Sequence, residues 1–183
     1  MRRLVISVLI VTAAFALLPA ASAAAEGFRD GRWRLEFCSS AGLPSNNRES
    51  RSGDFLFTGS AEYEFPIHAR ATLGLRTYPL FVYDESGDDT IFGGGAGIAA
   101  RIYQNKGSLD GWFGEGGASA IWHSDTWEGN GSRVNFMLEV GVGYKFPDSN
   151  WHVALKAHHL SNSSLSEENS GINSLGLAFG YTF

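Results

Sequence analysis

Apolar and polar residues alternate with a period of two along most of the chain. The clearest run covers residues 134–146, in which every even position is Val, Phe, Leu or Tyr and the odd positions include Asn, Glu and Lys. A period of two is typical of a β-strand with one apolar face. The same alternation predicts eight strands, at 33–37, 55–65, 69–77, 91–103, 111–123, 134–146, 151–158 and 174–183.

The number and spacing of these segments favour a closed barrel in a membrane. A tilted strand needs about 9–11 residues to cross a bilayer, and bacterial barrels have an even number of strands. A soluble β-sandwich is the alternative, but apolar residues that oppose charged ones on every strand suit a wall facing lipid. We therefore predict an all-β fold, an eight-stranded antiparallel transmembrane β-barrel. Its short inner turns would be 66–68, 105–111 and 147–150, and its longer outer loops 39–53, 84–89, 125–132 and 163–170.

The first residues of the chain have the three parts of a secretory signal peptide. Two arginines are followed by an apolar stretch and then by a run of small side chains from 20 to 25. These small residues allow cleavage just before Ala24 or Glu26. A retained membrane anchor is the alternative, but it needs about 20 apolar residues, more than this stretch has. We predict a signal peptide at 1–25 and an outer-membrane barrel at 26–183.

Composition narrows the class of protein further. The chain has 13% aromatic residues and 23 glycines, and after residue 25 no apolar stretch is long enough for a membrane-spanning helix. Its net charge of -5 gives no electrostatic basis for a nucleic-acid partner. The single Cys38 cannot form an internal disulfide, and its position on the charged face favours a buried, inert thiol. The terminal Tyr181-Thr182-Phe183 resembles the signal recognised by the barrel assembly machinery, which we expect as a partner.

Charged side chains of the predicted strands fall on the face opposite the apolar one. An eight-stranded barrel is only wide enough inside for side chains, so these groups should form a hydrogen-bonded plug rather than line a pore. The cations and anions nearly balance. They are Arg34, Arg70, Arg76, Arg101, Lys145 and Lys156, with Glu36, Glu62, Glu64, Glu115 and Glu139.

Three polar residues fall on the apolar face, where polar groups are the informative exceptions. His159 and Ser161 continue the outward positions of the seventh strand, and Asn173 begins those of the eighth. With both termini inside, this cluster lies at the outer-leaflet ends of neighbouring strands, where lipopolysaccharide resides, and Phe136 lies beside it. A polar residue near the interface costs only about 0–1 kcal/mol, so an ordinary strand end is the alternative to a His-Ser catalytic pair.

The motif around these residues resembles that of a known family. The string His159-Leu160-Ser161-Asn162 is followed by Asn169-Ser170-Gly171 and by a final strand that ends in an aromatic residue. This arrangement is similar to the signature of the lipid A 3-O-deacylases, the PagL family. The resemblance implies an esterase whose active site faces lipid and which removes the 3-O-linked acyl chain of lipid A.

The resemblance also implies a role for each residue of the motif. His159 matches the family's general base, and Ser161 matches its nucleophile. Asn169 matches the asparagine assigned to the oxyanion hole, and Asn162 matches the conserved asparagine after the serine. Phe136 would pack against the acyl chain of the substrate.

The third position of the catalytic triad departs from the best-known pattern of the family. That pattern has an acid two residues after the Asn-x-Gly glycine, where this chain has Asn173. In a serine-protease triad, exchanging the acid for an amide costs about 10⁴ in turnover because the imidazole takes the wrong tautomer. An amide can nevertheless orient a histidine through its carbonyl, as in Cys-His-Asn enzymes, or Glu167 or Glu168 could supply the charge. We predict an esterase, with a non-catalytic structural or adhesive barrel as the alternative.

Location and partners follow from the same reasoning. Lipopolysaccharide of the outer leaflet would be the substrate, and the outer membrane the location. We expect no cofactor and no metal, because the adjacent His158 and His159 point to opposite faces of a strand. The sequence leaves open the acyl-chain preference, a calcium site in the loop 84–89 and whether the barrel forms a homodimer.

Overall fold

The computed structural model describes residues 28–44, 51–87 and 90–183. The predicted signal peptide, 1–25, lies outside these residues, so its cleavage remains a prediction. The described chain consists of a 3-10 turn and eight strands. They are the turn Phe28–Asp30 and the strands β1 (Arg32–Gly42), β2 (Phe55–His68), β3 (Ala71–Asp84), β4 (Thr90–Tyr103), β5 (Gly111–His123), β6 (Val134–Lys145), β7 (Trp151–Ser161) and β8 (Ile172–Thr182).

Each strand pairs antiparallel with the next, and β8 pairs with β1 to close the barrel. The predicted eight-stranded antiparallel barrel is therefore confirmed. We call the end that carries the first and last strand residues the inner end, and the opposite end the outer end. Within the described ranges, no helix is long and apolar enough to span a membrane. The outer end carries the first to fourth outer loops, of which the structure describes residues 43–44 with 51–54, 85–87, 124–133 and 162–171, respectively.

Side chains alternate between the outer wall and the interior along the strands, as the sequence pattern predicts. In β8, Leu177 is 71% exposed whereas the adjacent Ala178 is 3% exposed. The exposed positions of β6 and β7 are also mostly apolar, with Val140 and Leu155 as examples. A continuous apolar wall of this kind is unfavourable in water and suits the hydrocarbon of a bilayer.

A bulge in β3 interrupts the alternation, which the sequence pattern did not predict. The register of β3 shifts between Thr77 and Leu80 against β2 and between Tyr78 and Phe81 against β4. Before the shift even-numbered side chains point inward, whereas after it the inward ones are Phe81 and Tyr83. Pro79 lies within the shift, and because proline has no N–H to donate to a ladder it is tolerated at a bulge. The predicted segment 69–77 therefore covers only the first part of the strand.

Other boundaries differ because backbone pairing continues where the side-chain pattern fades. β1 extends to Gly42, into the predicted loop 39–53, and pairs there with β8. β2 extends to His68, so the predicted link 66–68 is strand and the turn is at 69–70. Arg70 is exposed in that turn and does not belong to the interior, so its predicted place among the interior charges is wrong.

The interior of the barrel is filled by charged side chains from β1 to β7. Arg76 donates from Nε to Glu62 Oε2 over 2.6 Å, and it also pairs with Glu115 and Glu139. Lys156 Nζ lies 2.9 Å from Glu115 Oε1. Small residues make room for these groups: a Cβ added at Gly74 would lie 2.2 Å from Glu62 Oε1. The predicted plug of ion pairs is thus present. Its buried charges are Arg34, Arg76, Arg101, Lys145 and Lys156, with Glu36, Glu62, Glu64, Glu115 and Glu139.

Candidate active site

The candidate site lies at the outer ends of β6, β7 and β8. His159 of β7 is the register partner of Asn173 on β8 and of Leu138 on β6. Ser161, two residues further along β7, is the partner of Phe136 on β6. All five side chains belong to the outward face of their strands. The fold therefore brings four of the residues singled out by the sequence together on the apolar wall.

A hydrogen bond orients the imidazole ring of His159. Its Nδ1 lies 2.8 Å from Asn173 Oδ1. Because an amide oxygen can only accept, the proton must be on Nδ1, which donates to it. In the neutral ring the other nitrogen, Nε2, then carries no proton, which is the tautomer that a general base requires. Asn173 thus fixes the ring in the way an orienting acid would, but without a negative charge.

Ser161 follows His159 on the same face of β7. Two residues along a strand separate the Cα atoms by about 6.6–6.8 Å, a span that imidazole and hydroxymethyl groups can bridge. Ser161 Oγ has no hydrogen-bond partner within the described part of the chain, so it is not yet bonded to the histidine. Such bonds are often long in enzymes without substrate and tighten when substrate binds.

The fourth outer loop places the side-chain amide of Asn169 near His159 and Ser161. The backbone N–H of Asn162 donates to Asn169 Oδ1 over 2.8 Å. Since this bond occupies the oxygen, the Nδ2 hydrogens of Asn169 are left as donors, and the side chain is exposed. The Asn162 side chain is fully buried and donates to Glu168 O and Ser166 Oγ, over 2.7 Å and 3.0 Å. Asn162 therefore shapes the loop, while Asn169 presents a donor on its surface.

The two glutamates of the fourth outer loop do not contact the histidine. Glu167 and Glu168 are both exposed. Neither carboxylate has a hydrogen bond within the residues that the structure describes, and Nδ1 of His159 is already bonded to Asn173. The geometry favours Asn173 over either glutamate as the residue that orients the ring.

An apolar groove in the outer wall adjoins the candidate pair. It has a volume of about 330 Å³ and is lined by Leu43, Leu138, Val140 and Ala157 beside His159 and Asn173. Its mostly apolar lining and its position on the outer wall suit a hydrocarbon chain. Sequence reasoning missed Leu43, which lies in a predicted loop. Its backbone N–H donates to Asn173 O over 2.7 Å, a contact with no signature in the alternation.

Behind the site, the outer mouth of the barrel is closed by contacts centred on Arg51. This side chain is 2% exposed, forms an ion pair with Glu85 and bonds to Glu128 O and to Ser170 Oγ. Burial raises the pKa of the Glu85 carboxyl above its ordinary value, and the neighbouring Glu128 N–H and Arg51 guanidinium offset this only in part. Ser170 belongs to the fourth outer loop, so the mouth and the site share one structural element.

These features define a membrane β-barrel whose wall carries a candidate active site. A model of the lipid A 3-O-deacylase (PagL) family matches residues 27–182, and the chain belongs to that family. No protein in a curated collection matches the chain.

The fold is shared with a solved structure. The crystal structure of the outer membrane enzyme PagL is 19% identical, with a TM-score of 0.64 over 81% of this chain and 98% of that chain. Two barrels from Pseudomonas aeruginosa are also similar. The outer membrane protein OprG is 14% identical, with a TM-score of 0.44 over 84% of this chain and 96% of that one. The N-terminal domain of OprF is 16% identical, with a TM-score of 0.42 over 82% and 99%.

Proposed function

We propose that this chain is an outer-membrane esterase that hydrolyses the 3-O-linked acyl chain of lipid A through a serine acyl-transfer mechanism. The observation that carries the proposal is the bond from His159 Nδ1 to Asn173 Oδ1, on the same outward face as Ser161. Membership of the lipid A deacylase family supports the substrate class. Lipopolysaccharide would reach the site laterally, because the site lies on the lipid-facing wall and not in the barrel interior.

In the first half of the reaction His159 Nε2 takes the proton of Ser161 Oγ, and the oxygen attacks the ester carbonyl. The negative charge that develops on the carbonyl oxygen is stabilised by the Nδ2 hydrogens of Asn169. The C–O bond to the sugar then breaks, and the sugar oxygen leaves with the proton from His159. The product is an acyl-serine and a free 3-hydroxyl on the glucosamine unit.

In the second half a water molecule enters from the headgroup side. His159 Nε2 accepts its proton while the water oxygen attacks the acyl-serine carbonyl. The bond to Ser161 Oγ breaks, the proton returns to Oγ, and a 3-hydroxy fatty acid is released. Phe136 and the apolar groove would hold the hydrocarbon chain through both halves.

A neutral third residue is compatible with this mechanism. The cost of an amide in a serine-protease triad arises from the wrong imidazole tautomer. Here the bond between Nδ1 and the Asn173 oxygen supports the tautomer that the mechanism requires. What the amide lacks is a charge to stabilise the imidazolium that forms transiently, so turnover is expected to be slower than with a carboxylate.

The test is lipid A mass analysis after expression in a host that lacks such an enzyme. Ser161→Ala and His159→Ala should each abolish loss of the 3-linked acyl group while the barrel still folds, because nucleophile and base act as one unit. Ser39→Ala, an exposed serine on β1, and His68→Ala, an exposed histidine at the inner end of β2, are matched controls that should keep full activity. Retained deacylation in Ser161→Ala would exclude the esterase mechanism and leave a structural or adhesive barrel.

The same assay tests the third position. Asn173→Ala should impair deacylation less than Ser161→Ala does, because removing an orienting residue removes only part of the rate enhancement. Asn173→Glu should hold or raise activity if the position is a weakened triad member. A folded Asn173→Glu barrel without activity would show that the site is organised differently.

A further inference from the structure

The third outer loop lies against the fourth in a short stretch of strand-like pairing. Asn130 and Asn169 form an isolated antiparallel bridge. Ser170 N donates to Gly129 O over 2.8 Å, and Gly131 N donates to Glu168 O over 3.2 Å. The backbone around Asn169 is therefore held by a loop from a different hairpin.

A buried tryptophan reinforces this contact. Trp127 is 2% exposed, and its indole Nε1 donates to Ser170 O over 2.9 Å. The ring packs against His123 and Tyr83, with centroids 4.8 Å and 5.7 Å away. The indole is thus fixed by the barrel and bonds the residue next to Asn169.

A chain of buried amides runs from the barrel to the same loop. Asn135 Nδ2 donates to His123 Nε2 over 2.9 Å, and its Oδ1 accepts from Asn130 Nδ2, also over 2.9 Å. Asn130 Oδ1 lies in turn 3.4 Å from Asn162 Nδ2, as a third, longer contact of that amide. Asn162 closes the chain, because its backbone N–H holds Asn169 Oδ1. Of these residues only Asn169 is exposed.

We infer that Trp127 and Asn130 are positioning residues of the esterase, which act through Asn169 and never touch the lipid. The inference rests on the proposed function, in which the Asn169 amide stabilises the oxyanion. Such a donor must be held within a fraction of an ångström of its productive place, and displacement by about 1 Å can cost 10²-fold in rate. A surface loop is not rigid by itself, so the barrel holds this one through the third outer loop.

The experiment measures deacylation kinetics of the refolded full-length barrel with Trp127→Phe. This change removes the indole N–H but keeps an aromatic ring in the same place. We expect kcat to fall about tenfold, which is less than the 10²-fold that displacement of the donor by about 1 Å can cost. KM should stay within about twofold of the wild-type value. Trp112→Phe on the outer wall of β5 is the matched control and should leave kcat unchanged.

A double-mutant cycle separates positioning from a general structural role. Asn169→Ala alone should lower kcat by about 10²–10³, as loss of an oxyanion donor does. If Trp127 acts through Asn169, adding Trp127→Phe to Asn169→Ala should lower kcat no further. Two effects that multiply would overturn the inference, because they would act independently.

Each proposal can fail separately. Deacylation by Ser161→Ala would contradict the proposed function. If Ser161→Ala is inactive while Trp127→Phe keeps wild-type kcat, the esterase stands and the positioning role is wrong. Should Trp127→Phe lose the heat-modifiable migration of a folded barrel, Asn130→Ala replaces it in the same cycle with the same expected and contrary outcomes.

Discussion

The middle of this barrel and the part of its outer mouth beside the candidate site stabilise buried polar groups in different ways. In the middle, ionised side chains pair across the interior, as Arg76 does with Glu62 and Glu115. At the mouth beside the site, neutral amides and an indole form directed bonds, as Asn130 does with Asn135. The outer walls differ too: at mid-height the wall is Leu177 and its neighbours, whereas at the mouth it carries His159.

The difference reflects what each region must hold. The plug of ion pairs in the interior, here called the charged cluster, joins residues from seven strands. It therefore stabilises the whole cross-section of the barrel rather than one element. β8 contributes small inward residues instead, and a Cβ at Gly176 would lie 2.1 Å from Ser40 Oγ. The amides at the mouth have fixed donor and acceptor ends and fix the conformation of one loop. A barrel can thus be globally stable while a single loop is adjusted for chemistry.

The largest effect is expected from breaking the charged cluster. Arg76→Met leaves three carboxylates short of a buried partner and should lower the free energy of unfolding by about 3–5 kcal/mol. Urea unfolding of the barrel in lipid vesicles measures this. Arg133→Met, which removes an exposed pair with Asp125 at 3.5 Å, is the matched control and should cost about 0–1 kcal/mol. Equal midpoints for both variants would contradict a stabilising role for the cluster.

A smaller effect compares the outer wall at the two depths. Leu177→Arg places a charge at mid-strand on the lipid face and should cost about 2–4 kcal/mol, whereas Asn173→Arg at the outer end should cost about 0–1 kcal/mol. The same vesicle unfolding assay serves for both. If the two substitutions cost the same, the wall has been placed at the wrong depth in the bilayer.

The sequence predicted the wall well because alternation is a local property. In β6 to β8 every outward position could be read directly from the sequence, and His159, Ser161 and Asn173 followed as the exceptions. The pattern failed at Pro79, where one extra residue reverses the inward and outward faces. It also failed at Arg70, since a charged residue in a tight turn has the same character as one that faces the interior.

The candidate site was predictable only in part. The motif gives residue types, but the bond that sets the His159 tautomer depends on the register of β7 against β8. Trp127 and Asn130 had no signal at all, because their contacts join two loops more than 30 residues apart in the chain, as the bond between Asn162 and Asn130 shows. Long-range pairing of irregular segments leaves no period to detect.

The smallest expected effect concerns the pH dependence of the outer mouth. Burial raises the pKa of Glu85 in the folded protein, so its contribution to stability is fully present below the pKa of the unfolded chain and is lost as the pH rises through the folded pKa. Glu85→Gln resembles the protonated side chain and should therefore be more stable than the wild type at pH 8 and equal to it at pH 4.

The gain should not exceed about 2–4 °C in the thermal midpoint, the shift that 1 kcal/mol produces in a chain of this size. Heat-modifiable gel migration at the two pH values measures it, with the exposed Glu167→Gln as control. A Glu85→Gln barrel that melts lower at pH 8 would mean that the ion pair with Arg51 outweighs burial, and that the mouth, like the middle, is stabilised by charge.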